Sequence, residues 1–320
     1  MTTSCFSFEP LNNSTYKVVQ DDSLKELPFI YVKVYPTLLL LIDTGCGENH
    51  ARDASVQEKS IRRFIETKLL EAGKLKYVDP DANQEKNKHW LVFITHTHYD
   101  HIGGLSEFAD DSSVFISGND KNYILKDLGC NSLCCAFNIP TPKFKVYHWL
   151  QQKEHLIFNG VDLKIQALLT PGHTPDEIAL YDVEEHVLFA GDSIYEQLPI
   201  YIIETSNMVD YIASIELMLE YVQDQNKQLE PTGKRVTTAS GHITDKADTE
   251  KLLVETKEAF WQTLKGEAVL TKQDIMRGKQ LVFYFNQSKN VGFMCIDSKL
   301  EEAKKHFNFE WQMPAPILLE

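Results

Sequence analysis

The chain is short of several things, and each shortage closes off a class of protein. It has no long apolar run. The longest aliphatic stretch, residues 38–42, is five residues, against the roughly 20 that a membrane-spanning helix needs. Its opening residues carry neither a basic segment nor an apolar one of the kind that starts a secretory signal, so no membrane partner is expected. Positive charge is scarce: 32 Lys and Arg stand against 46 Asp and Glu, a formal net charge of −14. A surface of that sign repels phosphate backbones, which argues against a nucleic-acid partner and weakly against anionic membranes. Cysteine is sparse and unpatterned. Cys5, Cys46, Cys130, Cys134, Cys135 and Cys295 form no C-x-x-C pair, which fits reduced thiols in the cytoplasm rather than a disulfide framework. Repeats of fixed period, low-complexity segments and a Gly-x-Ser-x-Gly nucleophile elbow are all missing.

What is there is a chain of 320 residues, 43% hydrophobic and 24% charged, close to the globular norm and so folded. Its length sits where single cores stop growing, which predicts one large domain over residues 1–265 with an extension over 266–320. Short apolar runs at 29–35 and 38–42, parted by Pro36, read as a hairpin. Helical spacing follows over 55–71 and stops at Gly73. The polar stretch 79–88 reads as a loop and 90–94 as a buried strand. Residues 113–117 read as a further strand, and 119–150 as an irregular lid or insertion. Asn159-Gly160 between apolar runs signals a tight hairpin, and 182–185 joins another. Helices are expected over 208–225 and 245–265, with a strand at 236–239 between them. The extension reads as two strands (281–285, 291–296), an amphipathic piece (300–307) and a Pro-containing end. The whole is a mixed α/β (α+β) order of two sheets with helices outside.

The sharpest feature is Thr95-His96-Thr97-His98-Tyr99-Asp100-His101-Ile102-Gly103-Gly104, directly after the strand 90–94. In an extended chain, residues two apart project to the same side, so His96 and His98 point together. Asp100 and His101 lie in the turn that follows. Three imidazoles and a carboxylate so close in sequence suit a borderline-soft divalent ion such as zinc, and leaving them buried without partners would be costly. Further candidates stand at later strand ends, each directly after a glycine: His173 after Gly172, Asp192 after Gly191 and His242 after Gly241. Such a recurrence is expected of a site assembled from several strand ends. Cys46, between Gly45 and Gly47, has no helper base indicated and reads as structural. Tyr99 reads as packing. His50, His89, His148, His155, His186 and His306 show no partner pattern and read as surface or satisfied polar residues.

This ordered set resembles the metallo-β-lactamase superfamily, whose motif runs His-x-His-x-Asp-His, then His, then Asp, then His. The resemblance covers roughly residues 25–265, with every metal position filled. It implies an αββα sandwich with the C-terminal extension appended, and two zinc ions. By that likeness His96, His98 and His173 hold the first ion, Asp100, His101 and His242 the second, and Asp192 bridges. Asp43, in Ile42-Asp43-Thr44-Gly45, matches the family's early aspartate, which orients ligands. His98 departs from the flavodiiron branch, where a carboxylate stands. Tyr195, three residues past Asp192, matches a tyrosine that lies over the metals in lactonase relatives, and as a hydrogen-bond donor to a developing oxyanion it is a candidate catalytic residue beside Asp100.

The ligand set does not choose the substrate, which is expected to be a small molecule. The first expectation is opening of a cyclic amide or ester, a lactam or lactone, by hydroxide generated at zinc. A thioester hydrolase acting on acyl-coenzyme A or a glutathione thioester is the second. An iron persulfide dioxygenase is a third, and a metal-binding scaffold without turnover the last. The extension is expected to pack on the outer helices, to cover an edge strand or to form the contact of a homodimer.

Overall fold

The computed structural model describes residues 3–79, 82–276 and 278–309. The chain divides into two compact units, Met1–Gln151 and Gln152–Glu320.

In the first unit, β1 (Phe6–Pro10), β2 (Thr15–Gln20), β3 (Phe29–Val34) and β4 (Leu38–Ile42) form an antiparallel meander. The chain then passes through α1 (Ile61–Glu71) and a small hairpin, β5 (Lys76–Asp79) with β6 (Gln84–Asn87), before β7 (His89–Phe93) joins β4 in parallel. The short helix α2 (Tyr99–Ile102) leads to β8 (Ser113–Ser117), and α3 (Lys121–Asn131) and α4 (Cys134–Phe137) lead to β9 (Val146–Leu150). The result is a seven-stranded sheet in the order β1-β2-β3-β4-β7-β8-β9. Its core includes Val32, Leu39, Leu41 and Val92 from the strands, Ile94 just past β7, and Ile61, Phe64, Ile65 and Leu69 from α1. Those four α1 residues recur at near-helical spacing, so one stripe faces the sheet.

The structure corrects three expectations in this unit. Helix α1 begins at Ile61 rather than near 55. The Asp53 carboxylate draws the Ser55 N–H (2.8 Å) into a local turn, and Ser60 caps the helix by accepting from the Arg63 N–H (3.0 Å). The polar stretch 79–88 is not all loop but carries most of the β5–β6 hairpin, whose cross-strand Lys76–Glu85 pair (2.8 Å) has no apolar period to betray it; residues 80 and 81 lie outside the described residues. The segment 119–150 is not irregular throughout. Asp120 caps α3 by accepting from Tyr123 N–H (3.2 Å), and β9 closes the sheet. The real irregularity is a kink at Asp127 (φ −154°, ψ 65°).

The second unit contains β10 (His155–Phe158), β11 (Val161–Leu169), β12 (Ile178–Asp182), β13 (Val187–Phe189), β14 (Pro199–Ile202), α5 (Met208–Leu229), β15 (Thr237–Ala239), β16 (Asp245–Asp248), α6 (Thr249–Lys265), β17 (Val269–Met276), β18 (Lys279–Phe285), β19 (Gly292–Ile296) and α7 (Asp297–His306). Strands β10-β11-β12-β13-β15-β16 make one sheet and β14-β19-β18-β17 a second. The β10–β11 turn is as read from the sequence: Asn159 and Gly160 both have positive φ (48° and 78°), which a type I′ turn requires. The helix expected from 245 begins at Thr249, because Asp248 caps it by accepting from Lys251 N–H (3.0 Å) and the residues before it pair with β15. Residues 266 onward do not stand apart within this unit. β19 pairs in parallel with β14, and Phe293, Cys295 and Leu300 share one core with Tyr211, Ile215 and Phe260. The Pro-containing end, 310–320, lies outside the described residues. β1, β2, β14 and β17 were not foreseen. Among the described residues no helix is long and apolar enough to cross a membrane.

Candidate metal centre

The first unit carries the His-rich turn. Because β4 and β7 run in parallel, with Ile42 opposite Phe93, Asp43 and Ile94 leave the same edge of the sheet side by side. Asp43 sits at φ 62°, a conformation that an aspartate tolerates better than most residues. Its carboxylate accepts from the Thr95 backbone N–H and hydroxyl, each at 2.8 Å, and lies 2.9 Å from His101 Nδ1. Thr44 fixes the same residue from behind, donating its N–H (2.7 Å) and hydroxyl (2.8 Å) to the His101 carbonyl. With a carboxylate on Nδ1 the ring proton belongs there, and Nε2, 3.5 Å from Asp100 Oδ2, is the nitrogen offered to a metal.

His96 and His101 are fully buried and His98 and Asp100 nearly so. His96 Nε2 stands 3.0 Å from His98 Nδ1. Donor atoms of His96 and His98, of His96 and His101, and of Asp100 and His101 lie within 4.8 Å of one another. Two nitrogens on one tetrahedral zinc at about 2.05 Å would stand about 3.3 Å apart, so spacing and donor chemistry both fit a divalent ion. The turn packs closely: a Cβ on Gly103 would collide with the Cys46 carbonyl. Cys46 itself belongs to a small apolar cluster with Tyr99, Cys134 and Ile139. Burial pushes its thiol well above the usual cysteine range, with Asp100 and Asp22 adding to the effect. A thiol held protonated is no nucleophile, so Cys46 packs, as expected. Tyr99 also packs, and its hydroxyl donates to Glu26 (2.6 Å).

The second unit carries the other three candidates on three loops. His173 follows β11. Its Nδ1 faces the Tyr201 carbonyl (2.8 Å), and the His173 carbonyl accepts from the Ser206 hydroxyl (2.6 Å). Gly172 is forced by contact, since a Cβ there would strike the Tyr211 backbone. Asp192 follows β13 and His242 follows β15. Both His173 Nε2 (3.9 Å) and His242 Nε2 (3.4 Å) approach Asp192 Oδ2, so within this unit the three loops converge on one carboxylate. Tyr195 lies edge-on to His242, ring centroids 6.1 Å apart, and its hydroxyl donates to the Pro199 carbonyl (3.3 Å).

Two participants were missed. The Tyr201 carbonyl orients His173, and a backbone group leaves no trace in residue type. Glu177 is completely buried, and its Oε1 accepts from the Asp192 N–H (2.9 Å). An acidic pair, Asp176-Glu177, directly before an all-buried strand is the signal that points to it. Of the histidines set aside, His89 contacts the Ser113 hydroxyl (3.2 Å), His155 the Gln166 amide (3.1 Å) and His186 the Tyr181 hydroxyl (3.4 Å).

Comparison with known proteins gives matches of three kinds. Residues 29–227 match the model described as the metallo-beta-lactamase superfamily. A protein of Aspergillus versicolor with the provisional name of a transcription factor, avaE, is 29% identical over 308 residues, 93% of this chain and 88% of its own length. The acyl-coenzyme A thioesterase MBLAC2 of Gallus gallus is 28% identical over 41% of this chain and 51% of its own length, so the chain spans about half of that relative. Among solved structures, a metallo-beta-lactamase family protein from Thermus thermophilus aligns with a TM-score of 0.57 at 18% identity, covering 83% of this chain and 85% of that one. That likeness shows the fold, the mixed α/β class expected from the sequence.

Proposed function

Because this chain belongs to the metallo-beta-lactamase superfamily, whose members are generally hydrolytic, we propose that it is a metal-dependent hydrolase of a small acyl substrate. On the superfamily's pattern, His96, His98 and His173 would hold one zinc ion and Asp100, His101 and His242 a second, with Asp192 completing the set. Divalent ions held there would lower the pKa of bound water to about 7 and would polarise a carbonyl. The protein's own groups do the rest. Asp43 holds the proton on His101 Nδ1 and so keeps Nε2 as the ligand atom. Asp100 orients the attacking water and carries its proton toward the leaving group. Tyr195 donates a hydrogen bond to the developing oxyanion once its hydroxyl leaves the Pro199 carbonyl. The observation that carries this reading is the buried turn 96–101, with His101 clamped by Asp43 at 2.9 Å.

The finer reading is opening of a lactam or lactone. Its support is Tyr195 beside His242. A thioester substrate is the second reading, favoured by the match to an acyl-coenzyme A thioesterase. The net charge of −14 counts weakly against a polyanionic thiol carrier.

The test is turnover by metal-quantified protein on a panel of γ- and δ-lactones, γ- and β-lactams and thioesters. Two zinc ions per chain and cleavage of the cyclic substrates are expected. Cleavage confined to thioesters moves the assignment to the second reading. A single iron with oxygen consumption overturns hydrolysis.

A further inference from the structure

Glu177 is a fully buried carboxylate to which the reaction above gives no task. It lies on the loop that carries His173: its backbone carbonyl accepts from Thr170 N–H (3.0 Å), closing that loop at the ends of β11 and β12. Its side chain reaches a second loop, where Oε1 accepts from Asp192 N–H (2.9 Å). The peptide between Gly191 and Asp192 is held at its other end too, because the Gly191 carbonyl accepts from Gly241 N–H (2.7 Å), on the third loop and next to His242. One rigid peptide plane is thus pinned through its N–H to the His173 loop and through its C=O to the His242 loop. The loop is braced further by Tyr211, fully buried, whose hydroxyl donates to the Ser193 carbonyl (2.7 Å).

We propose that Glu177 is a positioning residue for the metal centre: it fixes the Gly191–Asp192 peptide, so that the Asp192 carboxylate stands where both ions need it. The proposal rests on the metal reading above. A hydrogen bond to a carboxylate is shorter and stronger than one between neutral groups, and a buried N–H left without its acceptor bears the full desolvation cost. Loss of Glu177 therefore lets the peptide rotate to find another acceptor, and Asp192 turns with it. A glutamine keeps an oxygen at the same reach. An aspartate keeps the charge but is one methylene shorter and cannot span 2.9 Å from the same backbone. The needed property is acceptor position, not charge.

The experiment measures zinc stoichiometry and affinity by titration of chelator-stripped full-length protein, and follows the visible spectrum on cobalt substitution. Wild type is expected to bind two ions. Glu177→Ala and Glu177→Asp are expected to lose about 10- to 100-fold in affinity for at least one ion, the usual cost of removing a group that holds a ligand, and to show an altered cobalt spectrum. Glu177→Gln is expected to bind within about threefold of wild type. Should Glu177→Ala fail to fold, the Glu177→Asp and Glu177→Gln pair decides alone. Wild-type affinity and spectrum in Glu177→Asp overturn the proposal while leaving the metal reading intact, and so does equal loss in Glu177→Gln and Glu177→Asp. A wild-type protein that binds no zinc sinks the metal reading first, and this proposal with it.

Discussion

At the residue scale, Asp43 makes the centre asymmetric. One carboxylate satisfies Thr95 twice and still faces His101 Nδ1, so it sets the orientation of one candidate ligand. An asparagine in its place tolerates the positive φ and keeps one oxygen for Thr95. It turns an N–H toward the His101 N–H, however, and forces the other tautomer. Asp43→Asn is therefore expected to weaken zinc binding by about 10- to 100-fold while changing the melting temperature of the metal-free protein little. Zinc titration beside thermal unfolding checks this, and an unchanged affinity would show that Asp43 serves the turn alone. Cys46 makes the opposite point. Its place between two glycines invites a catalytic reading, and burial that keeps the thiol protonated removes it.

Elements matter here through their ends. The metal candidates sit where strands stop, while the strand bodies are ordinary apolar sheet. Helix α1 is held at its start by Ser60 and by Glu107, whose carboxylate accepts from the Ile61 (3.3 Å) and Arg62 (3.2 Å) N–H groups. The Ser60 hydroxyl also donates to Glu107. Ser60→Ala removes a cap and one partner of a half-buried carboxylate. It is expected to cost about 1–2 kcal/mol, read as a shift of the urea midpoint without a change in slope. A shift below a few tenths of a kcal/mol would mean that Glu107 caps the helix unaided.

For the molecule as a whole, the decisive matter is what the residues after Lys265 do. β19 supplies the strand partner of β14, and Phe293, Cys295 and Leu300 fill a core that Tyr211 and Phe260 also occupy. Burying a Phe or Leu contributes about 1.5–3 kcal/mol, and a domain's whole stability is about 5–15 kcal/mol. Removing three or more such side chains is enough to unfold the second unit. A chain ended at Lys265 is expected to aggregate or to bind a hydrophobic dye with no cooperative melt. A soluble fragment with a sharp unfolding transition would make the extension an accessory.

Residue type and spacing alone made the metal candidates legible, because a cluster of imidazoles and a carboxylate is chemically improbable as packing. Periodicity likewise displayed most of the buried strands and the apolar faces of α5 and α6, since burial demands apolar residues at a fixed repeat. What had no signature was decided by contact in three dimensions. The β5–β6 hairpin is held by charge pairs and α1 starts where Ser60 caps it, and neither shows in an apolar pattern. His173 takes its orientation from the Tyr201 carbonyl, 28 residues on. Glu177 acquires its meaning from the Asp192 N–H, 15 residues on. Local chemistry is written in side chains, whereas orientation is set by hydrogen bonds to backbone groups that every residue has, and only the folded chain chooses among them.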